Sequence, residues 1–353
     1  MLSQWAWPVP KSEIAIALLC FCALVLLLAV WLRLGFGQRL VAVPNERSSH
    51  VKLTPTGGGV AIVLVFQAVL LSYYLQGVYF SGWLALCGGL IALLGLVDDV
   101  RELSAGLRLA LQVLLVGVLL WSADAVVLSQ VGWLANWPAL GIALLFGTAL
   151  VWFINLFNFM DGIDGLAAAQ SGSYCLAALF LMMGDAGWYA GLLWAGVACS
   201  LGFGVFNAPP ARIFMGDAGS AFLGLLLATL SLQLAIVGAL PLVSSLVLLS
   251  AFWFDASYTL VVRVVTGQRF TQGHRSHLYQ RLADRYGHGR TTLGYLALFV
   301  FWQWPLAAWI RAILLSKTEL VSGFGLSPEL WWIVALSCLP LLVACIFWRA
   351  GAR

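Results

Sequence analysis

Asn155 to Leu166 reads NLFNFMDGIDGL, in which two carboxamides and two carboxylates, Asn155, Asn158, Asp161 and Asp164, recur every third residue directly after a long apolar run. On a helix that spacing lays the four groups along one stripe. Gly162 and Gly165 interrupt the stripe, so the spacing predicts a helix end opening into a loop, with the polar groups turned toward one cavity. A capping and turn sequence accounts for one Asp-Gly pair and leaves four polar groups in register unexplained. Hard oxygen ligands of this kind suit Mg²⁺, which keeps several waters and shares phosphate oxygens.

The surroundings of this stretch decide the fold. Only 9% of the 353 residues are charged and 62% are hydrophobic. The apolar runs approach the ~20 residues that cross a bilayer as a helix. They run Ile14 to Leu34, Gly59 to Leu75, Gly82 to Val97, Leu107 to Trp121, Ala139 to Leu156, Leu166 to Met183, Trp188 to Phe206, Ala218 to Val237, Leu240 to Val265, Thr292 to Leu315 and Leu330 to Trp348. The expected fold is therefore an all-α polytopic membrane protein with about 10–11 transmembrane helices. The first run lacks a basic start and a small-residue cleavage site, and is expected to be a retained span. No soluble unit of useful size remains, so residues 1–353 are expected to form a single integral membrane catalytic domain. The seven cysteines all fall inside these runs without metal-ligand spacing and read as small buried apolar residues.

Short cytoplasmic loops carry the excess of Lys and Arg. With the N-terminus outside (periplasmic) and the C-terminus cytoplasmic, Arg33, Arg39, Arg47, Lys52, Arg101, Arg108, Arg212, Arg263, Arg269, Arg275, Arg281, Arg285, Arg290, Arg349 and Arg353 fall inside. Only Lys11, Arg311 and Lys317 fall outside. The same alternation places Asp98, Asp99, Asp161, Asp164 and Asp217 together on the cytoplasmic side. Acids near hydrocarbon are expensive and mark functional sites, so the active site is expected on the cytoplasmic loops.

The other inner loops add candidates. Pro44 to Gly59 (PNERSSHVKLTPTGGG) brings Arg47, His50 and Lys52, which can meet phosphate, and three glycines that allow close backbone approach at a helix start. A plain positive-inside loop with a hinge reads the same way. Asp98-Asp99 close the third run; adjacent carboxylates in a partly dry site call for a cation, a proton or hydrogen bonds, and suit base catalysis. Asp217 stands where a loop enters a helix, and an N-cap is its simplest account, although an N-cap does not call for Arg212 and Phe214 beside it. His274, Arg275 and His277 sit in the last inner loop with Arg281, Arg285 and Arg290. These suit a diphosphate, and equally an amphipathic helix on anionic lipid. Asp255, inside an apolar run, is expected to pair with Arg263 two helical turns on.

In this order, from Pro44 to about His277, the motifs resemble those of the polyprenyl-phosphate N-acetylhexosamine-1-phosphate transferase family (glycosyltransferase family 4). The resemblance implies a multi-pass enzyme of the bacterial inner membrane that moves a sugar-1-phosphate from a UDP-N-acetylhexosamine to undecaprenyl phosphate and releases UMP. It implies Mg²⁺ as cofactor, with Mn²⁺ as a substitute, contact with membrane lipid, no nucleic acid partner, and compatibility with a homodimer. By position, Asp98 and Asp99 match the catalytic pair, Asp98 as the base on the lipid phosphate, while Asp217 and Asn158 match the metal site. Lys52, Arg108, Asn155, Asp161, Asp164, His274, Arg275 and His277 match substrate-binding positions, and Phe214 the ring stacked on uracil. Arg108 replaces a Lys of many members, exchanging a point charge for a planar fork.

The branch that makes the first peptidoglycan lipid carries consecutive histidines where this chain has HRSHLYQ. Asp255 with Arg263 looks instead like the branch that starts O-antigen or related surface polysaccharides. A phospho-N-acetylmuramoyl-pentapeptide transferase is the alternative within the family. A polyprenyl-lipid transporter or binding protein is the alternative outside it; a transporter would place its site near the bilayer midplane.

Overall fold

The computed structural model describes residues 11–35, 41–42, 54–122, 139–182, 186–268, 274–316 and 328–352. The helices are α1 (Lys11–Arg33), α2 (Gly59–Leu75), α3 (Tyr79–Arg101), α4 (Ala105–Ser122), α5 (Ala139–Met160), α6 (Leu166–Leu181), α7 (Trp188–Asn207), α8 (Asp217–Ile236), α9 (Leu242–Leu248), α10 (Ser250–Val265), α11 (Leu278–Tyr286), α12 (His288–Leu298), α13 (Trp304–Ser316) and α14 (Pro328–Phe347). A π-helical turn, Phe299–Gln303, joins α12 to α13. The β1 (Val41–Ala42) and β2 (Thr54–Pro55) pieces form a two-residue antiparallel ribbon, Val41 opposite Pro55.

Among the described residues, eight helices are long and apolar enough to cross a membrane, with His288–Ser316 counted as one. The α9–α10 pair forms a broken span bent by 70°, and α2 and α6 are shorter apolar helices. Together these account for every expected apolar run, and the chain is a multi-pass, all-α membrane protein. The run Leu240 to Val265, expected as one span, is broken at Leu249.

That break exposes backbone groups in an apolar interior, where each must find a partner. Gln170 Nε2 donates to the Leu248 carbonyl at 3.1 Å. The Gln303 carboxamide, nitrogen toward the Leu248 carbonyl (2.9 Å) and oxygen toward the Ala251 amide (3.0 Å), bridges the break from the π turn. Pro305 follows that turn and has no N–H for a regular helical bond. The wider π turn takes up that defect, a usual role for such turns.

Helix α8 lies at the centre, buried over nearly its whole length and packed against α2, α3 and α5. Its N-terminal turn is where they crowd closest. A Cβ on Gly59 of α2 would collide with the Gly219 backbone, and one on Gly95 of α3 with the backbone of Asp217. Backbones this close leave no room for a side chain, so the contact depends on glycine on both sides. Around this centre, α1 packs on α7, α6 on α7, and α10 on α14.

Replacing Gln303 by Leu leaves the Ala251 amide unpaired and weakens the pairing of Leu248. An unsatisfied buried group costs about 1–3 kcal/mol. The expected result is a lower thermal denaturation midpoint of the detergent-solubilised protein, with Gln303→Glu closer to the wild type; an unchanged midpoint for Gln303→Leu contradicts the bridging role.

Candidate active site

The site is built on the buried N-terminus of α8. Gly216 precedes it with φ 76°, a left-handed conformation that favours glycine, and a Cβ there would lie 2.8 Å from Asp99 Oδ2. Asp217 is the first helical residue, so it is not the N-cap. The capping acceptor comes from another helix: both Asp99 oxygens accept the Asp217 N–H, at 3.2 and 3.1 Å. The Asp217 side chain is held in turn by Asn158 Nδ2 at 2.9 Å, and Asn158 also donates to Ser220 Oγ at 2.9 Å. Asp98, one residue before Asp99, lies beside the Asp217 carboxylate. It receives Arg108 Nη1 at 2.5 Å and the Leu103 N–H at 2.7 Å. Arg108 stands 3.6 Å from Asp217, linking the two acids.

Two loops close the cavity. Asp161–Gly165 joins α5 to α6, and the segment after α7 runs to Gly216. Asn207 stitches them together, accepting the Gly165 N–H at 2.9 Å and donating to the Ile213 carbonyl at 2.8 Å. Asp164 does the same by its carboxylate, accepting the Ala211 N–H at 3.0 Å and facing His288 Nδ1 at 2.9 Å. The extended Phe214–Met215 segment pairs with the start of α2. The Phe214 N–H donates to the Pro55 carbonyl (2.8 Å), and the Gly58 and Gly59 amides donate to the Phe214 and Met215 carbonyls (both 2.9 Å). The glycine amides expected to be free for a ligand therefore anchor the Phe214 loop.

These walls enclose a cavity of about 260 Å³ lined by Asp99, Asp161, Asp164 and Asp217, with Asn158, Phe214, Gln280 and His288 among its other residues. Among the described residues, four carboxylates and no Lys or Arg line it. Burial, with the Asp217 and Asp99 charges close by, pushes the Asp161 carboxyl well above the usual range.

Asp98 and Arg108 therefore stand directly behind the cavity, while Asp99, Asn158, Asp161, Asp164, Phe214 and Asp217 line it. Asn155 is turned away, its amide donating to Gln112 on α4 (2.7 Å) and to the Val151 carbonyl (2.8 Å). Arg212 leaves the site, lying over the Phe206 ring at 4.9 Å and donating to the Val205 carbonyl at 2.6 Å. Lys52, with Arg47 and His50, lies outside the described residues.

The 274–277 run does not line the cavity either. Arg275 pairs with Asp284 at 2.5 Å. Burial, the His277 ring and the Arg263 charge lower His274 to about 4, so it is neutral at pH 7. His277 is buried between His274 and Tyr279, ring centroids 4.8 and 5.7 Å away.

The expected Asp255–Arg263 pair is corrected by this geometry. Asp255 instead receives the Leu278 and Tyr279 amides (2.9 and 3.1 Å) and the Tyr295 hydroxyl (3.0 Å). Arg263 donates to Gln268 at 2.9 Å. Asp255 thus satisfies the free N-terminal amides of α11 from inside α10. Sequence reasoning missed this because the partner lies more than 20 residues away in the chain. It also missed Asn207, Gln280 and His288, whose only signal was a position beside the quoted motifs.

The Tyr279 hydroxyl donates to the Phe159 carbonyl at the end of α5 (2.8 Å), over Gly162. Helix α11 is therefore clamped to the cavity rim at both Asp255 and Phe159. Asp255→Ala removes the acceptor of four hydrogen bonds, the fourth from the Thr259 hydroxyl (3.3 Å), each worth about 0.5–1.5 kcal/mol. Hydrogen exchange of the 278–286 amides is expected to rise at least about tenfold while α8 amides stay protected; equal exchange in both proteins would refute the clamp.

The model of glycosyl transferase family 4 matches residues 81–235. The chain is similar to a probable undecaprenyl-phosphate N-acetylglucosaminyl 1-phosphate transferase of Bacillus subtilis, 30% identical over 73% of this chain and 74% of that protein. It is also similar to the decaprenyl-phosphate N-acetylglucosaminephosphotransferase of Mycolicibacterium smegmatis, 32% identical over 83% and 81% of the two chains. A phospho-N-acetylmuramoyl-pentapeptide-transferase of Desulforudis audaxviator is 33% identical over 66% of this chain and 80% of that protein. The similarity spans the acids gathered around α8, and the chain belongs to glycosyl transferase family 4, the polyprenyl-phosphate N-acetylhexosamine-1-phosphate transferases.

Proposed function

We propose that this protein transfers an N-acetylhexosamine-1-phosphate from a UDP-sugar to undecaprenyl phosphate in a bacterial inner membrane, releasing UMP and priming a surface polysaccharide such as O-antigen. One observation carries the reading: the ends of α3, α5 and α8 bring Asp99, Asp161 and Asp217 to one cavity at one end of a membrane bundle, with Arg108 behind them. The bacterial relatives, named for N-acetylglucosamine phosphotransfer to polyprenyl phosphates, support it. HRSHLYQ lacks the consecutive histidines of the peptidoglycan branch, which favours a plain hexosamine donor over the muramoyl pentapeptide.

Mg²⁺ fits this cavity. Carboxylates this close, one of them pushed toward protonation, call for a compensating cation. Among the described residues no three acidic, histidine or cysteine groups already converge as a cage. One or two protein oxygens completed by water and substrate phosphate is the arrangement Mg²⁺ prefers. Asp217 would hold it, with Asn158 fixing the carboxylate and offering its amide oxygen. When bound, the ion neutralises the donor diphosphate and the departing UMP.

The chain supplies the rest. Phe214 offers a ring face to the uracil, and Arg108, held by Asp98 behind the cavity, offsets the charge of Asp217. Asp99 on the cavity wall receives the acceptor phosphate and takes up its proton, with Asp98 behind it held by Arg108. An acceptor oxygen then attacks the β-phosphorus in line, forming the lipid diphosphate sugar as the bond to UMP breaks. The polyprenyl tail stays in hydrocarbon throughout.

Purified protein with undecaprenyl phosphate, UDP-N-acetylglucosamine and Mg²⁺ is expected to release UMP and form a lipid diphosphate sugar, and to stop on addition of EDTA. Release of UDP instead would establish ordinary glycosyl transfer and overturn the reading. Asp217→Ala is expected to lower turnover by a hundredfold to a thousandfold, on the order of other losses of charge stabilisation at a reacting centre. Asp98→Asn and Asp99→Asn are expected to lower turnover strongly with insertion intact; full activity in either removes that residue from the mechanism.

A further inference from the structure

A second cavity, of about 380 Å³, lies between α11, α12 and α14. Leu278, Leu282 and Tyr286, four residues apart, form the stripe of α11 that faces it, whereas Gln280 of the same helix faces the acidic cavity. Leu298 of α12 and Leu341 and Ala344 of α14 complete an apolar body. Gly294 of α12 leaves it open, since a Cβ there would meet nothing within 4 Å. The few polar groups that reach this space are mostly committed elsewhere. The Thr291 hydroxyl donates to the Gly287 carbonyl at 2.9 Å, and the Tyr295 hydroxyl to Asp255 at 3.0 Å. Arg290 differs: it is exposed, lines the cavity, and has no hydrogen bond or ion pair among the described residues.

The polarity of the cavity changes with depth. The Tyr286 and Trp348 rings meet edge to face, centroids 5.8 Å apart, an aromatic pair of the kind that sits at head-group level. Arg290 lies in the first turn of α12, eight residues before Leu298, and Pro340 of α14 lies eight residues before Trp348. At about 1.5 Å per residue both walls descend roughly 12 Å below that level. The cavity is therefore cationic at the top and apolar beneath. An apolar space does not hold water, and one that opens on a bilayer is filled by acyl chain. Read from the sequence, Arg290 suited a diphosphate and anionic lipid equally. It does not line the acidic cavity, which favours the lipid.

We propose that this cavity binds one anionic phospholipid, an acyl chain lying between α12 and α14 and the phosphate on Arg290. A guanidinium pairs with a phosphate through two parallel hydrogen bonds, and a cation at head-group level attracts anionic lipid. A phosphate held by Arg290 is outside the acidic cavity, so this lipid is not the reacting acceptor. It packs on the stripe of α11 away from Gln280, and so braces from behind the helix that walls the candidate active site.

The test uses delipidated full-length protein in a neutral detergent, titrated with dioleoylphosphatidylglycerol or dioleoylphosphatidylcholine, with bound lipid counted by native mass spectrometry. No donor, acceptor or metal enters this titration, so its outcome is separate from the phosphotransferase reading. One phosphatidylglycerol is expected to bind about fivefold more tightly than phosphatidylcholine, the size of one cation's attraction to an anionic lipid surface. Arg290→Ala is expected to abolish that preference and Arg290→Lys to keep part of it. Gly294→Leu fills the open space from an ordinary helical backbone, and is expected to lose the bound lipid of either kind without lowering the thermal denaturation midpoint. Phosphatidylglycerol is expected to slow hydrogen exchange of the 278–286 amides in the wild type and not in Gly294→Leu. Arg290→Ala, at an exposed position, carries the test if Gly294→Leu fails to fold. Undiminished binding to Gly294→Leu, or equal affinity of the wild type for the two lipids, would overturn the proposal. Displacement of phosphatidylglycerol by equimolar undecaprenyl phosphate would give the cavity to the acceptor and overturn it too, as would a dimer that Gly294→Leu dissolves and phosphatidylglycerol leaves intact.

Discussion

An α-helix leaves its first amides without partners, and α8 begins with that end pressed against α2 and α3 at a distance only glycine permits. The Asp217 amide is satisfied from within the bundle. Asp99 of α3 supplies the acceptor. Once a carboxylate is fixed there, the acid of Asp217 is fixed beside it, and Asn158, Ser220 and Arg108 follow as the groups that steady the two. The candidate catalytic constellation and the glycine-dependent packing of α8 on α2 and α3 are the same piece of structure.

That arrangement concentrates negative charge where desolvation makes it expensive. Surface pairs would be screened by salt, but half-buried acids of one sign raise each other's proton affinity, as at Asp161. Arg108 offsets the cluster from behind, leaving the open side of the cavity acidic. On the proposed reading, a site so arranged holds a divalent cation and, through it, a diphosphate. The acids sit at helix ends rather than mid-span, which suits a lipid substrate whose head group meets a water-soluble donor at the membrane surface.

Much of this was legible in the chain. Apolar length alone located the membrane helices, because a bilayer admits little else, and the clustering of acids at the ends of those runs marked one face as the site. What the chain hid were contacts between distant segments. Asp255 looked like half of an intrahelical ion pair, yet it caps α11, and Asn155 shares the stripe of Asn158 yet bonds to Gln112, because the helix starts to be covered by α4 one turn earlier. The break at Leu249 was invisible because it depends on two glutamines, one on α6 and one in the π turn, that supply the missing bonds. The histidine run drew attention through composition, whereas the cavity is reached by Gln280 and His288, which carry no motif of their own.

The two short helices, α2 with 17 residues and α6 with 16, have a consequence for the bilayer itself. At about 1.5 Å per residue they extend roughly 25 Å, several ångströms less than a hydrocarbon core of about 30 Å. Such hydrophobic mismatch is met by local thinning of the bilayer or by recessing the helix ends below the head groups. The N-terminal ends of these helices are preceded by Thr56 at α2 and by Asp161 to Asp164 at α6, which line the cavity. A shortfall at those ends would set the cavity nearer the acyl chains, and membrane thickness becomes a variable that acts on the depth of the site.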